Sequence, residues 1–342
     1  MKKIITLSML FMATALFAQE ETTEKKLSIS GSVDAYYKTN LTSTDVSNAF
    51  FNDGDGGAQS FGTSFANQTG FALGMANIIA SYEGDETGAV ADLVFGPRGE
   101  EAITGLNVNQ LYAYWNVSDD FKLTIGRFNT YLGYEVISPT GNFNYSTSHL
   151  FSNGPFSHTG LKADFTLSDD FSLMVAVMNV TDVDDNITGD YAFGAQLGFK
   201  GQFLNFYYDG ADSDVGLGFE IDYTGGFDIS DEFYLGINAA YNLENDDDFS
   251  FYGVALYPQY SLSDEFGLGL RGEYFGGHQK DVDDIPAVLG LTLTGSYSIN
   301  NLTFKPEIRL DSWNNDLEPF VDNDLEATSS LAAFTLAAIY SF

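Results

Sequence analysis

The sequence predicts an all-β chain, a transmembrane antiparallel up-and-down β-barrel of 16 strands with both termini periplasmic. Three observations carry this. Apolar and polar side chains alternate along nearly the whole chain. One short turn recurs four times, each copy placing phenylalanine at the start of the next strand. Past the first residues, no apolar run reaches the roughly 18 residues that a membrane helix needs.

Residues 1–18 read as a secretory signal peptide. Lys2 and Lys3 form a positive n-region, and Ile4 to Phe17 an apolar stretch that ends in small residues before Gln19. This stretch is too short and wrongly flanked for a spanning helix. The chain has no cysteine, which excludes a lipid-modified cleavage site and any disulfide. Residues 19–342 then form a single outer-membrane β-barrel domain. They keep 12 of the 14 basic residues and all 48 acidic ones, a net charge near −36. Nucleic acid is a poor partner for such a surface. Aromatic residues at 15% argue against a disordered acidic tract.

The alternation is clearest in three segments. In Leu217 to Ile229 one face holds Leu217, Phe219, Ile221, Tyr223 and Phe227, the other Glu220, Asp222, Thr224 and Asp228. Phe233 to Leu243 follows the same scheme, and Leu302 to Asp311 sets Leu302, Phe304, Ile308 and Leu310 against Lys305, Glu307, Arg309 and Asp311. Runs of this length exceed the usual strand of a soluble sheet and fit a tilted strand crossing a bilayer. An uncharged face opposite a charged one fits lipid outside and water inside.

The repeated turn is Val117-Ser118-Asp119-Asp120-Phe121, echoed at 167–171, 229–233 and 262–266. Serine and aspartate favour it because their side chains bond the local backbone. Each phenylalanine shares the parity of the apolar face that follows, as in Phe121, Leu123, Ile125. Four aromatics at the first outward position of four strands make a girdle at one membrane interface.

Strands are expected at 27–40, 71–82, 89–96, 108–117, 121–128, 160–167, 171–179, 191–199, 203–209, 216–229, 233–243, 249–262, 266–275, 288–299, 302–311 and 330–342. Short connections alternate with long ones, which puts the short turns in the periplasm and the long loops outside. The even count closes the barrel and removes unpaired edges. Pro258 and Pro306 fall inside strands and each removes a ladder donor, so a bulge or shifted boundary is expected there. The last strand ends Tyr340, Ser341, Phe342, with Tyr340 and Phe342 on the outward face, the form of an assembly signal for the barrel-inserting machinery.

The segment 126–160 is more specific than any periodicity. Gly126-Arg127-Phe128, then Gly133-Tyr134-Glu135, then Pro155-Phe156, His158-Thr159-Gly160 resemble the OmpL-like β-barrel porin family. The resemblance implies an outer-membrane porin without cofactor or catalytic residues. It also implies that the long third external loop, 129–159, folds into the bore and narrows it. In that loop Glu135 and Tyr134 are constriction candidates. One reading has an aromatic shelf with Glu135 facing Arg271 or Arg309 across the bore. The other has a loop packed on its own aromatics with Glu135 as a buried anchor.

By parity the lumen receives Lys38, Lys122, Lys162, Lys200, Arg271, Lys305 and Arg309, against Asp34, Asp92, Asp164, Glu220, Asp222, Asp228, Glu273, Glu307 and Asp311. That near balance leaves most of the negative charge in loops and turns. The expectation is passive diffusion of small hydrophilic solutes with weak cation preference. Two other readings stand beside it: a saccharide-selective channel with aromatic stacking, and a closed structural or adhesin barrel. The apolar inner parity of the last strand (Leu331, Ala333, Ala337, Ile339) suggests the closed form.

Other functions find little support in the residues. Acidic runs at 53–56, 182–186, 246–248 and 281–284 complete no EF-hand loop and read as solvated loops, so no metal is expected. The three histidines, His149, His158 and His278, all read as loop residues, and neither G-x-S-x-G nor H-E-x-x-H occurs, so no enzyme is expected. Eight residues between the signal and the first strand leave no room for the plug of a gated importer. Partners are then membrane lipid, the assembly machinery and small solutes. A homotrimer is compatible with 16 strands.

Overall fold

A computed structural model describes residues 26–45, 60–103, 105, 107–212, 214–245 and 249–342. The signal segment and the acidic runs at 53–56 and 246–248 lie outside the described residues. Sixteen strands close into one antiparallel barrel. In chain order they are β1 (Lys26–Asn40), β2 (Gly70–Glu83), β3 (Thr87–Phe95), β4 (Val108–Ser118), β5 (Phe121–Asn129), β6 (Ser157–Thr166), β7 (Phe171–Met178) and β8 (Ala192–Phe199). They continue as β9 (Gln202–Tyr208), β10 (Phe219–Asp228), β11 (Phe233–Leu243), β12 (Ser250–Ser261), β13 (Phe266–His278), β14 (Ala287–Ile299), β15 (Leu302–Trp313) and, after a small hairpin of β16 (Phe320–Val321) and β17 (Ala327–Thr328), β18 (Ser330–Ser341). Among the described residues two one-turn helices, α1 (Pro97–Glu101) and α2 (His149–Asn153), sit in long loops.

Each strand pairs with its neighbour in sequence, and β1 closes on β18 from Ser32↔Ser341 to Asn40↔Ala333. Reciprocal bonds of 3.0 Å between the backbones of Gly31 and Phe342 extend the seam. The ladder thus runs around the whole barrel without a free edge, the condition for a sheet in hydrocarbon. The recurring turns are sealed as their chemistry demands. Ser168, Ser230 and Ser263 each accept the backbone N–H of the following phenylalanine at 3.1–3.2 Å.

Side-chain partition is inside out relative to a soluble sheet. On β13 and β14, Leu268, Leu270, Leu289, Leu291 and Leu293 are about half exposed, while Arg271, Glu273, Thr292 and Thr294 are buried. The leucines are neighbours through Leu270↔Leu293 and Leu291↔Leu310. They join outward aliphatics on most other strands into an apolar belt far larger than a soluble monomer tolerates. At the turn end the belt is edged by ring pairs, Phe121 on Phe165 at 4.7 Å and Phe171 on Phe199 at 4.6 Å. At the other end stand Phe71, Tyr191, Phe193, Tyr208 and Tyr274. Along β13 the two girdle residues Phe266 and Tyr274 lie eight positions apart. That is roughly 26 Å of strand, or roughly 20 Å along the membrane normal at porin-like tilt.

Two sequence expectations are corrected here. Pro258 and Pro306 cause no bulge: register is unchanged on both sides of each, Leu256↔Gly272 to Gln259↔Gly269 and Thr294↔Glu307 to Tyr297↔Phe304. The ladder omits the rungs beside each proline and resumes, so a lost donor does not require an inserted residue. The register shifts fall instead at Val33/Ala35, Asp92/Leu93 and Asn116/Ser118. His158 and His278 are strand residues, in β6 and at the end of β13, and only His149 lies in a loop.

Candidate functional site: the loop inside the barrel

The connection between β5 and β6, residues 130–156, runs inside the barrel and meets the opposite wall. Its root is built by the motif residues. Gly126 pairs with Gly160, Arg127 with Thr159 and Phe128 with His158, so the two ends of the motif face each other across the ladder. At Gly126, φ is +132°, and a Cβ would come within 2.2 Å of the Leu111 carbonyl oxygen, so only glycine fits. Arg127 reaches Asp184 of the next long loop at 2.6 Å, and Thr159 Oγ1 donates to the same carboxylate. Asp182, also in that loop, accepts the backbone N–H groups of Phe156 and Ser157. Burial raises its carboxyl above the usual aspartate range, against the pull of those hydrogen bonds.

His158 is buried among rings, 5.1 Å from Tyr131 and 5.7 Å from Tyr207, with Nε2 3.0 Å from Thr130 Oγ1. Beyond the root, the Gly133 N–H donates to Asp222 and the Tyr134 ring stacks on Tyr257 at 4.3 Å. The Tyr134 hydroxyl occupies space that a Cβ on Gly236 would fill. Phe156 packs against Phe65 and Phe151, and Pro155 precedes it at the foot of the loop.

On the far wall the charged ladder of β13 and β15 grips the loop backbone. Arg271 Nη1 donates to Glu135 Oε1 at 2.8 Å and to the Ser146 carbonyl at 2.6 Å. Glu135 also accepts the Ser148 N–H at 2.7 Å. Both members of this pair have 2% exposed side chains. Glu307 accepts the N–H groups of Tyr145 and Ser146, and Glu273 accepts those of His149 and Leu150 at the start of α2. Arg309 donates to the Thr147 carbonyl at 2.8 Å and forks onto Asp311, which also meets His149 Nε2 at 2.8 Å. Lys305 donates to the carbonyls of Pro139 and Asn142. Wall carboxylates thus take loop N–H groups while wall cations take loop carbonyls. Peptide groups removed from water all need such partners.

Two further residues complete the grip: Arg98, which no sequence pattern marks, and Tyr145, an aromatic of the inward loop. Arg98, on α1, donates to the carbonyls of Ile137 and Tyr145 and lies 4.4 Å from the Phe65 ring centre. The Tyr145 hydroxyl donates to Asp34 at 2.5 Å. Burial, reinforced by that carboxylate, pushes the Tyr145 phenol up, so it stays a donor. The apolar inner face of β18 is the seat of these segments: Ala337 and Ile339 cluster with Tyr36 and Tyr145, and Leu331 and Ala333 with Phe61 and Phe320.

Glu135 and Arg271 therefore touch, and do not face each other across water. At the level of Arg271, Glu273, Glu307 and Arg309 the inward wall of β13–β15 faces peptide, not an aqueous tunnel. Lys162 sits on the other side of the loop, 3.5 Å from Asp164 and 5.2 Å from the Phe128 ring centre. One parity assignment fails: Lys200 lies in a tight turn with φ +51° and pairs with Asp170 at the rim. Asp228, exposed at the end of β10, is paired with Tyr234, whose hydroxyl lies over Gly226. Strand parity says nothing of where a strand leaves the bore. At the turn end the lumen opens into two cavities, of about 580 Å³ beside Asp85, Asp120, Lys122 and Asp164, and about 300 Å³ beneath Phe143.

A closed 16-stranded antiparallel barrel with an apolar belt, two aromatic girdles and an inward loop defines a membrane barrel of the porin class. Comparison makes the family explicit. Residues 26–342 match the family described as "Putative beta-barrel porin-2, OmpL-like", and the chain belongs to it. The fold is similar to the outer-membrane channel DcaP of Acinetobacter baumannii, at TM-score 0.59 and 14% identity over 96% of this chain and 100% of that one. It is also similar to an anion-selective porin from Comamonas acidovorans (TM-score 0.58, 9% identity, 93% and 100% covered). A third is the trimer form of OmpT, an outer-membrane protein of Vibrio cholerae (TM-score 0.54, 11% identity, 93% and 99% covered). No curated protein matches the sequence.

Proposed function

We propose that this chain is an outer-membrane porin passing small hydrophilic solutes by diffusion, with the inward loop as its constriction and a weak preference for cations. The loop seated across the barrel interior, at Glu135–Arg271 and Arg309–Thr147, carries the reading. A free bore of this strand number would pass solutes with little discrimination, and a loop within it leaves only a narrow path. The cation preference draws on the turn-side mouths. The larger cavity is bordered by Asp85, Glu86, Asp119, Asp120 and Asp164 against Lys122. In this reading residues 1–18 are a cleaved export signal, and Tyr340 and Phe342 serve assembly. Both termini are periplasmic, and the homotrimer draws support from the trimeric OmpT structure.

One observation favours a second reading, a barrel stoppered by its own loop. Wall residues on the loop's far side are almost wholly buried, with Arg271 at 1% and Thr294 and Asp311 at 0% exposure. Liposome swelling with solutes of graded size separates the two. Diffusion predicts swelling that falls smoothly with solute size, whereas a stoppered barrel gives none. A reversal potential of anionic sign in a salt gradient would remove the cation preference.

A further inference from the structure

We infer that the cavity beneath Phe143 is a binding subsite for a neutral polyhydroxylated solute of the saccharide type. The inference deepens the channel reading and rests on it. The cavity, about 300 Å³, is lined by Phe143, Ser261, Ser296, Ser298, Thr303 and Ser341. The five hydroxyls come from β12, β14, β15 and β18, which with β13 form one continuous stretch of wall. Between them β13 contributes Gly267 and Gly269. A Cβ on Gly269 would meet the Phe143 ring at 2.4 Å, and one on Gly267 would lie 3.5 Å away. The ring therefore rests against a bare strand backbone, and it also borders the cavity.

The chemistry of this patch is separate from the rest of the wall. One layer up the same strands carry Arg271, Glu307 and Arg309, all engaged with the loop. Lys305 borders the cavity, but its ammonium is bonded to the Pro139 and Asn142 carbonyls. Acids appear only at the turn, where Asp264 and Glu265 border the mouth. A hydroxyl both donates and accepts, as does each hydroxyl of a sugar, so the two form networks without fixed polarity. Ser298 and Thr303, 3.0 Å apart, already present one such pair. An aromatic ring offers its electron-rich face to the C–H face of a pyranose. Charged solutes gain nothing from this combination. The volume is at the lower end for small-molecule pockets and suits one or two sugar rings.

The test is planar-bilayer current through the purified full barrel, with D-glucose and then maltose added to either chamber. Saturable current reduction is expected, stronger from the turn side than from the loop side. Phe143→Leu keeps the apolar volume but loses the ring, and Ser296→Ala/Ser298→Ala removes two hydroxyls. Each should raise the half-blocking concentration by at least roughly fivefold, measured against that variant's own open-channel current in salt alone. Lys162→Gln, outside the cavity, should leave it unmoved. Block that is absent, or equal in native and variant barrels, overturns the subsite while salt conductance keeps the channel reading intact. If no current passes, the channel reading fails, and calorimetric titration of the detergent-solubilised barrel with maltose decides the subsite. Heat that Phe143→Leu reduces supports it, and no heat overturns it.

Discussion

Replacing Arg271 by methionine keeps the aliphatic stem and removes the guanidinium that holds the loop to the wall. That group makes two short bonds to the loop, to Glu135 at 2.8 Å and the Ser146 carbonyl at 2.6 Å, and a 3.1 Å bond to Thr292. Glu135 would remain at 2% exposure with only the Ser148 N–H to stabilise its charge. Removing one partner of a buried pair costs about 3–5 kcal/mol. The loop contributes no rung to the barrel ladder, so the cost falls on the seated loop and not on the sheet. A change of that size shifts the ratio of displaced to seated loop by about two to three and a half decades. In single-channel recordings Arg271→Met should show larger or fluctuating conductance, with the barrel's heat-modifiable gel mobility intact. Adding Glu135→Gln removes the stranded carboxylate and should recover part of the loss. Native-like conductance and noise in Arg271→Met would refute the claim that this pair holds the constriction.

Three further outcomes follow from the same physics. Asp182 sits at φ +57° with its carboxyl raised by burial. Its contribution to stability is complete below the ordinary value of 3.8 and is lost as pH rises through the raised folded value. Asp182→Asn, which accepts the same backbone and the same bonds, should flatten that slope in pH-dependent thermal melts, while Asp182→Ala should lose about 1–3 kcal/mol. Gly126→Ala places a methyl 2.2 Å from the Leu111 oxygen. It should lower the yield of heat-modifiable barrel on refolding into vesicles, and by more than Gly201→Ala, which meets the strain of φ +78° but no clash. If the acidic mouths set selectivity, the reversal potential should show cation preference at 0.1 M salt and lose most of it at 1 M. Screening shortens from about 10 Å to about 3 Å over that range.

The strands were legible because a barrel wall writes one rule twice per turn of the pleat. All 16 expected strands appear, with ends displaced by at most three residues, as at β6, β10 and β13. Alternation against lipid leaves no other register, since a slip by one residue would put Arg271 and Glu273 into hydrocarbon. The failures are local. Lys200 has inward parity but lies in a tight turn beyond the end of β8, and parity carries no height. The hairpin of β16 and β17 and the helices α1 and α2 are too short to impose a period. The prolines misled in the other direction, because a ladder can omit two rungs without inserting a residue.

What the inward residues touch was beyond the reach of periodicity for a deeper reason. Alternation reports that a side chain faces the interior, and it treats water and a folded peptide as the same environment. Glu273, Glu307, Arg309 and Asp311 have the pattern of a water-lined wall, yet their partners are peptide groups and a histidine of residues 145–150. The apolar inner face of β18 was the one visible departure from that pattern. Leu331, Ala333, Ala337 and Ile339 have no use for water and lie against Phe61, Phe320, Tyr36 and Tyr145. An apolar stripe inside an otherwise polar bore thus marks where chain is seated, and the charges beside it are read as grips before they are read as a selectivity filter. The same logic separates the hydroxyl patch below Phe143 from the charged wall above it: Lys305, Glu307 and Arg309 are committed to the loop, the hydroxyls border the open cavity, and Asp264 and Glu265 stand only at its mouth.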